Sequence, residues 1–302
     1  MADLRVNIAG VNFKNPVIAA SGTFAFGEEY AAFLDVSALG GIALKALTPE
    51  IRPGNPPIRI AETPSGILNS VGLQNPGVDA FISGILPRIR RFDTVKIANV
   101  AGRTEEDYYT VIEKLNDTEI DMFELNVSCP NVKQGGVTFG TDPNSMAAIV
   151  AGAKARAKKP LIVKLTPNVT NIALMAKTAE DAGADAVSLV NTFTAMAINA
   201  KTRRPVLANV TGGLSGPAIK PIALRMVHEV YRAVSIPIIG MGGIMTGEDA
   251  AEFLLAGASA LMVGTATVAE PDAMIRILGE LNKFLDENSA ATARELTGAL
   301  EY

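Results

Sequence analysis

Short apolar runs recur along the chain, each closed by Gly, Pro, Asn, Ser or Thr and followed by a stretch with helical spacing. The runs lie at residues 16–22, 42–48, 94–100, 121–127, 160–166, 186–191, 236–240 and 260–264. The helical patterns lie at 28–38, 78–91, 104–116, 143–157, 171–182, 218–233, 246–256 and 271–286. Strands that are apolar on both faces belong to a parallel sheet covered on both sides. Eight such βα units in 302 residues predict a closed (β/α)8 TIM barrel of the α/β class. An open doubly wound sheet is the other way to arrange them, but no G-x-G-x-x-G opens the first helix to support it.

Three segments fall outside the repeat. Residues 4–8 and 11–13 alternate around Ala9-Gly10 and predict an N-terminal hairpin. Residues 49–76 hold Pro53, Pro56, Pro57 and Pro64, yet Ile58-Arg-Ile-Ala and residues 66–76 are too apolar for a linker. We expect an irregular wall or lid there, and a second insertion at 195–214, both over the C-terminal face. Residues 287–294 read as a helical end-piece. No domain boundary or low-complexity stretch interrupts the pattern, so residues 1–302 are expected to form a single domain.

Composition narrows the function. The net charge of -4 disfavours nucleic acid as the main partner. The N-terminus lacks a secretory h-region and no uncharged apolar run reaches the ~18–20 residues of a membrane span, so the expected compartment is the cytoplasm. One cysteine excludes an internal disulfide framework and an iron–sulfur cluster held by this chain in the usual way, which takes about four thiolates. The one histidine, His228, falls mid-helix, leaving a Ser-His-Asp triad without a candidate base. No cluster has metal-ligand spacing.

In a barrel the site lies at the C-terminal ends of the strands. Ser21, Lys45, Asn99, Asn126, Lys164 and Asn191 all fall at or near such ends. Structural hydrogen bonding explains any one of them, but six strands converging polar groups on one rim points to a ligand, and buried lysines need a partner. Ile239-Gly-Met-Gly-Gly-Ile244 and Val263-Gly-Thr-Ala266 follow the last two strands, where barrels frequently bind phosphate on backbone N–H groups. Gly216, before a helix, suits close approach of backbone to a ring or phosphate, and equally an ordinary loop and helix start. Cys129 stands at the mouth of the fourth strand between Asn126 and Asn131, a place for an acid, base or nucleophile; a small buried hydrophobe is the alternative. A phosphate cradle, two lysines, asparagines and a thiol suit a phosphorylated cofactor with a flat polar ring, such as a flavin.

Asn126-Val-Ser-Cys-Pro-Asn131, Asn69-Ser-Val-Gly-Leu-Gln-Asn-Pro76, Ser215-Gly-Pro-Ala-Ile-Lys-Pro221 and Gly240-Met-Gly-Gly-Ile244 resemble the motifs of class 1 dihydroorotate dehydrogenases. The resemblance runs nearly the whole chain. Asn15-Pro-Val-Ile-Ala-Ala-Ser-Gly-Thr-Phe24 and Cys129-Pro-Asn-Val-Lys-Gln-Gly-Gly136 resemble the B type rather than the fumarate-using A type. The resemblance implies oxidation of dihydroorotate to orotate in pyrimidine synthesis, with Cys129 removing the C5 proton while the C6 hydride goes to N5 of FMN. It implies substrate contacts from Lys45, Asn69, Ser70, Val71, Gly72, Leu73, Asn126, Asn131, Asn191 and Thr192. It implies FMN contacts from Ser21, Lys45, Ala46, Asn99, Asn126, Lys164, Val190, Gly216, Gly242, Gly243, Gly264 and Thr265. It further implies a partner subunit with FAD and a [2Fe-2S] cluster that passes electrons to NAD, in a heterotetramer built on a self-dimer of this chain. Other readings to be weighed are another dihydropyrimidine-type flavin oxidoreductase, a flavin-free phosphate-binding lyase or isomerase, and a catalytically silent partner subunit.

Overall fold

The computed structural model describes residues 2–128 and 139–302. Cys129 and Asn131 lie outside the described residues. Eight parallel strands close a barrel: β1 Val17–Ala19, β2 Gly41–Ala43, β3 Val95–Val100, β4 Met122–Asn126, β5 Leu161–Lys164, β6 Ala186–Leu189, β7 Ile238–Met241 and β8 Ala260–Val263. Each pairs with its sequence neighbours, and β8 pairs with β1. This is the barrel expected from the repeat of apolar runs.

Alternation along the strands sorts their side chains into two cores. Outward residues such as Val17, Ala98, Phe123, Val163, Val187 and Leu261 pack under the helices. Inward residues Ile18, Ala43, Ile97, Met122, Ile162, Ala186, Ile239, Ala260 and Met262 fill the barrel. The hairpin of Val6–Ile8 and Val11–Phe13 contributes Ile8 and Phe13 to this inner core and so plugs the N-terminal mouth. The chain ends meet nearby: Asp3 and Ala293 are joined by a backbone bond of 3.0 Å.

The flanking helices start where local chemistry dictates. Thr104 with Asp107, and Thr246 with Asp249, form capping boxes on Glu105–Leu115 and Gly247–Leu255. Asp142 and Asn171 cap Pro143–Arg156 and Ile172–Asp181.

Four segments differ from expectation. Residues 28–38 form no α-helix, only the 3-10 turns Tyr30–Ala32 and Val36–Ala38. The Asp35 carboxylate accepts from the Ser37 N–H at 2.9 Å, a local bond that competes with helix. The helical stretch from Val78 to Ile89 contains a π-turn at Phe81–Ile85. Pro87 lacks an N–H and crowds the preceding turn, which widens. The end-piece after Glu287 is a turn followed by a 3-10 helix at Ala293–Leu296. Most consequentially, the wall at 49–76 is not wholly irregular. Ile60–Thr63 pairs with Gly66–Asn69, which pairs with Thr211–Ser215, which pairs with Phe193–Met196. The two insertions therefore build one four-stranded antiparallel sheet beside the C-terminal rim.

Candidate active site

The site begins where the inward apolar layer stops. Two residues beyond Ile97, Met122, Ile162 and Ala186 on the same strands come Asn99, Glu124, Lys164 and Ser188, and alternation returns each to the barrel interior. Asn99, Glu124 and Ser188 are fully buried, and Lys164 is 5 % exposed. The Glu124 carboxylate accepts from the Asn99 amide and, at 2.7 Å, from the Ser188 hydroxyl, while the Lys164 ammonium stands 3.6 Å away. The Asn99 Oδ1 is buried and has no hydrogen-bond partner among the described residues. Sequence reasoning had placed Asn99 and Lys164 here but had missed Glu124 and Ser188. A charge inside the apolar run 121–127 was the available signal for the former.

One step higher, β4 ends in Asn126. Its Oδ1 accepts from the Asn191 amide at 3.4 Å and from the Ser128 N–H at 3.3 Å, and its carbonyl accepts from the Tyr108 hydroxyl at 2.8 Å. Asn191 in turn accepts from the Thr192 N–H at 2.9 Å. Asn168, another residue that sequence reasoning had missed, donates to the Thr192 carbonyl at 3.1 Å and accepts from the Thr194 N–H at 2.9 Å. It thereby fixes the strand exit that carries Asn191 and Thr192. Val190, buried just before, donates its N–H to the Met241 carbonyl at 2.9 Å.

Lys45 follows β2, its backbone N–H bonded to the Ala25 carbonyl at 2.8 Å. Ala46 beside it and Ser21 after β1 are buried. No carboxylate pairs with Lys45 among the described residues. Burial pushes its ammonium below the ordinary lysine range, and the Arg59 guanidinium pushes the same way.

The sheet formed by the insertions supplies the facing wall. Asn69 donates to the Gly213 carbonyl at 3.3 Å, and the Ser70 N–H donates to the Arg59 carbonyl at 2.8 Å. The Ser70 hydroxyl is buried without a partner among the described residues, as is that of Ser128. Val71, Gly72 and Leu73 continue the wall. Asn55 donates its backbone N–H to the Val71 carbonyl at 3.0 Å and its amide to the Ser70 carbonyl at 2.8 Å. Buried Asn75 ties this loop to the exit of β2, donating to the Thr48 hydroxyl and the Leu73 carbonyl at 2.8 Å each and accepting from the Gly77 N–H at 2.9 Å.

The third side is the glycine-rich cradle. Gly242 and Gly243 have φ of 124° and 87°. A Cβ on Gly242 would fall 2.8 Å from the Ala223 Cβ, and one on Gly243 would fall 2.8 Å from the Lys220 Cβ. Only glycine fits this turn against the start of the helix Lys220–Tyr231. The turn is pinned by Asp249, which accepts from the Met245 and Thr246 N–H groups at 2.8 and 2.9 Å and from the Lys220 ammonium at 2.6 Å. Across from it, Thr265 donates to the Ser215 hydroxyl at 2.9 Å, joining Gly216 and Gly264 to one corner.

The structure thus brings the described members of the predicted set to one rim. His228 is elsewhere, its Nε2 2.7 Å from the Tyr302 hydroxyl. Among the described residues no helix is long and apolar enough to cross a membrane, and no group of three His, Cys, Asp or Glu could hold a metal.

Known proteins resemble this chain over its whole length. The family model described as dihydroorotate dehydrogenase matches residues 3–285. The chain is 55 % identical over 298 residues to the "Dihydroorotate dehydrogenase B (NAD(+)), catalytic subunit" of Alkaliphilus metalliredigens, covering 99 % of each chain. It is 53 % identical over 300 residues to the protein of the same name from Petrotoga mobilis, covering 99 % of this chain and 100 % of the other. To that of Bacteroides thetaiotaomicron it is 52 % identical over 302 residues, covering all of both. A crystal structure of DHODH from Eimeria tenella in complex with ferulenol superposes with a TM-score of 0.82 at 24 % identity, over 98 % of this chain and 88 % of that one; this likeness speaks to the fold alone.

Proposed function

The chain belongs to the dihydroorotate dehydrogenase family, and from that premise we propose that it is the FMN-carrying catalytic subunit of a B-type enzyme. It oxidises dihydroorotate to orotate in pyrimidine biosynthesis, in the cytoplasm, as one barrel domain spanning residues 1–302. The observation that carries the reading is Lys45: a half-buried cation on the rim of the barrel, near the Arg59 guanidinium and without a counter-ion among the described residues. A buried unpaired charge is costly in the free protein, and a substrate carboxylate relieves the cost. The amides of Asn69, Asn126, Asn191 and Asn131, the hydroxyls of Ser70 and Thr192, and the backbone of Val71, Gly72 and Leu73 bond a small ring that both donates and accepts.

The residues present fit FMN. The Asn99 Oδ1, unpartnered among the described residues, offers an acceptor, Lys164 and Lys45 offer cations, and the tight Gly242-Gly243 turn is of the kind whose backbone N–H groups bind phosphate. Ser21, Ala46, Asn126, Val190, Gly216, Gly264 and Thr265 complete the set that would hold it. When bound, FMN supplies the acceptor for the C6 hydride. The chain's own contribution is to orient the substrate and take its C5 proton on Cys129, whose thiolate is the competent base.

The B-type assignment brings a second subunit. One cysteine in this chain leaves a [2Fe-2S] cluster to another polypeptide, which also holds FAD and reduces NAD. Two copies of this chain form the dimer core of that heterotetramer.

Anaerobic addition of dihydroorotate to the purified yellow protein tests the reading. Bleaching of the flavin absorbance is expected. A yellow protein that does not bleach would remove dihydroorotate as substrate, and a colourless one that takes up no added FMN would remove the flavin.

A further inference from the structure

Glu124 has no role in the function proposed above, yet it is a charge set inside the barrel with partners on three other strands. It is fully buried, it accepts from Asn99 on β3 and Ser188 on β6, and it faces Lys164 on β5. An ion pair taken out of water stabilises a fold little, since apolar side chains of the same volume serve as well or better. Its consequence here is orientation. Because Glu124 takes the Asn99 N–H, the amide oxygen of Asn99 is turned elsewhere, and it is that oxygen which is buried without a partner among the described residues. At 3.6 Å the Lys164 ammonium is held by charge but makes no hydrogen bond to Glu124, nor to any other described residue. Two unmet groups therefore stand side by side: one neutral acceptor and one cation with free protons. A ring edge that carries an N–H beside a carbonyl answers both.

We propose that Glu124 is a positioning residue that turns the Asn99 carbonyl toward the cofactor and holds Lys164 beside it, setting the charge that a bound flavin meets. The inference rests on the FMN reading given above. With Glu124 present the pair is near neutral; without it Lys164 keeps an uncompensated positive charge. An anionic reduced flavin gains from that charge more than an oxidised one does.

The test uses the full-length chain loaded with FMN. Wild type and Glu124→Gln are each poised against a redox dye of known potential. The variant is expected to favour reduced over oxidised FMN about tenfold more than wild type does, a rise of about 30 mV for the two-electron couple. Glu124→Asp, which keeps the charge, is expected to restore most of the wild-type potential. In a Lys164→Gln background the effect of Glu124→Gln is expected to shrink severalfold, because the partner through which it acts is gone. An unchanged or lowered potential in Glu124→Gln with FMN still bound overturns the proposal. So does a full-sized effect without Lys164. If Glu124→Gln does not fold, Ser188→Ala serves: losing the hydroxyl donor draws the carboxylate onto Lys164 and lowers the potential, and no change overturns the proposal. A folded wild-type chain that takes up no FMN fails at an earlier step, and overturns the flavin reading and this inference together.

Discussion

Replacing Lys45 by Met separates what the site does from what the fold needs. The side chain is half buried, no described carboxylate pairs with it, and the Arg59 guanidinium lies close enough to add repulsion. Methionine fills similar space without charge, so the substitution leaves no orphaned partner. The ligand-free protein should therefore keep its stability or gain about 1 kcal/mol, roughly 2 °C in Tm. Orotate binding should move the other way. A hydrogen bond to a charged group contributes about 1.5–3 kcal/mol, so affinity falls roughly 10- to 150-fold. The pH dependence has a fixed sign. Lys45 has a native pKa below its unfolded value, so between the two the unfolded chain binds more protons. The wild-type ligand-free protein thus gains stability as pH rises through that window, while its orotate affinity drops as the ammonium discharges. Lys45→Met should lose both slopes. The assay pairs thermal melts of the ligand-free chain with orotate titrations of the FMN-loaded chain, across pH 7 to 10. A variant that melts several degrees lower, or one that binds orotate like wild type, refutes the reasoning.

Three further outcomes are expected. Cys129→Ala should lower turnover by ~10²–10⁴, the usual contribution of a general base, with FMN uptake unchanged; stopped-flow reduction by dihydroorotate measures it, and a wild-type rate takes the cysteine out of the mechanism. Gly242→Ala must accept a Cβ 2.8 Å from the Ala223 Cβ at a φ of 124°. FMN affinity of the apo-protein should fall about tenfold or more, for a strain of ~1–2 kcal/mol, and fluorescence titration would expose an unstrained turn as wild-type-like binding. Asn75→Leu leaves the buried Thr48 and Gly77 N–H groups without their Asn75 acceptor. It should cost about 2–3 kcal/mol and raise KM for dihydroorotate more than it lowers kcat, whereas an unaltered KM would sever the link between this anchor and the wall.

How much of this was legible in the chain depends on whether the signal is local. The barrel strands were legible because each is buried on both faces, which leaves a run such as Leu161–Lys164 with nothing polar until its end. Lys164 was legible for the same reason, as the polar residue closing its strand, and Asn99 as a polar residue one place before the end of β3. The sheet of the two insertions was not. Gly213 pairs with Asn69 across a barrel's worth of intervening chain, and its strands are short and half exposed, so neither partner carries a periodicity of its own. Asn168 escaped for a related reason: it lies in the loop after β5, but its work is done on Thr192 after β6. Glu124 and Ser188 are a different case, because their signal was local and of period two. Met122 and Glu124 lie on the same face of β4, and Ala186 and Ser188 on the same face of β6, just as Ile97 and Asn99 do on β3. A strand that places an apolar residue inside the barrel must place the residue two further on inside as well. A carboxylate at that second position cannot stay unpaired in such an interior. The cation to meet it had to come from a strand at the same height, and Lys164, two residues beyond Ile162 on the adjoining β5, was the available one. Polar residues that interrupt an apolar run from within are therefore the stronger marker of a barrel's site, since those at its end can be satisfied by the loop alone.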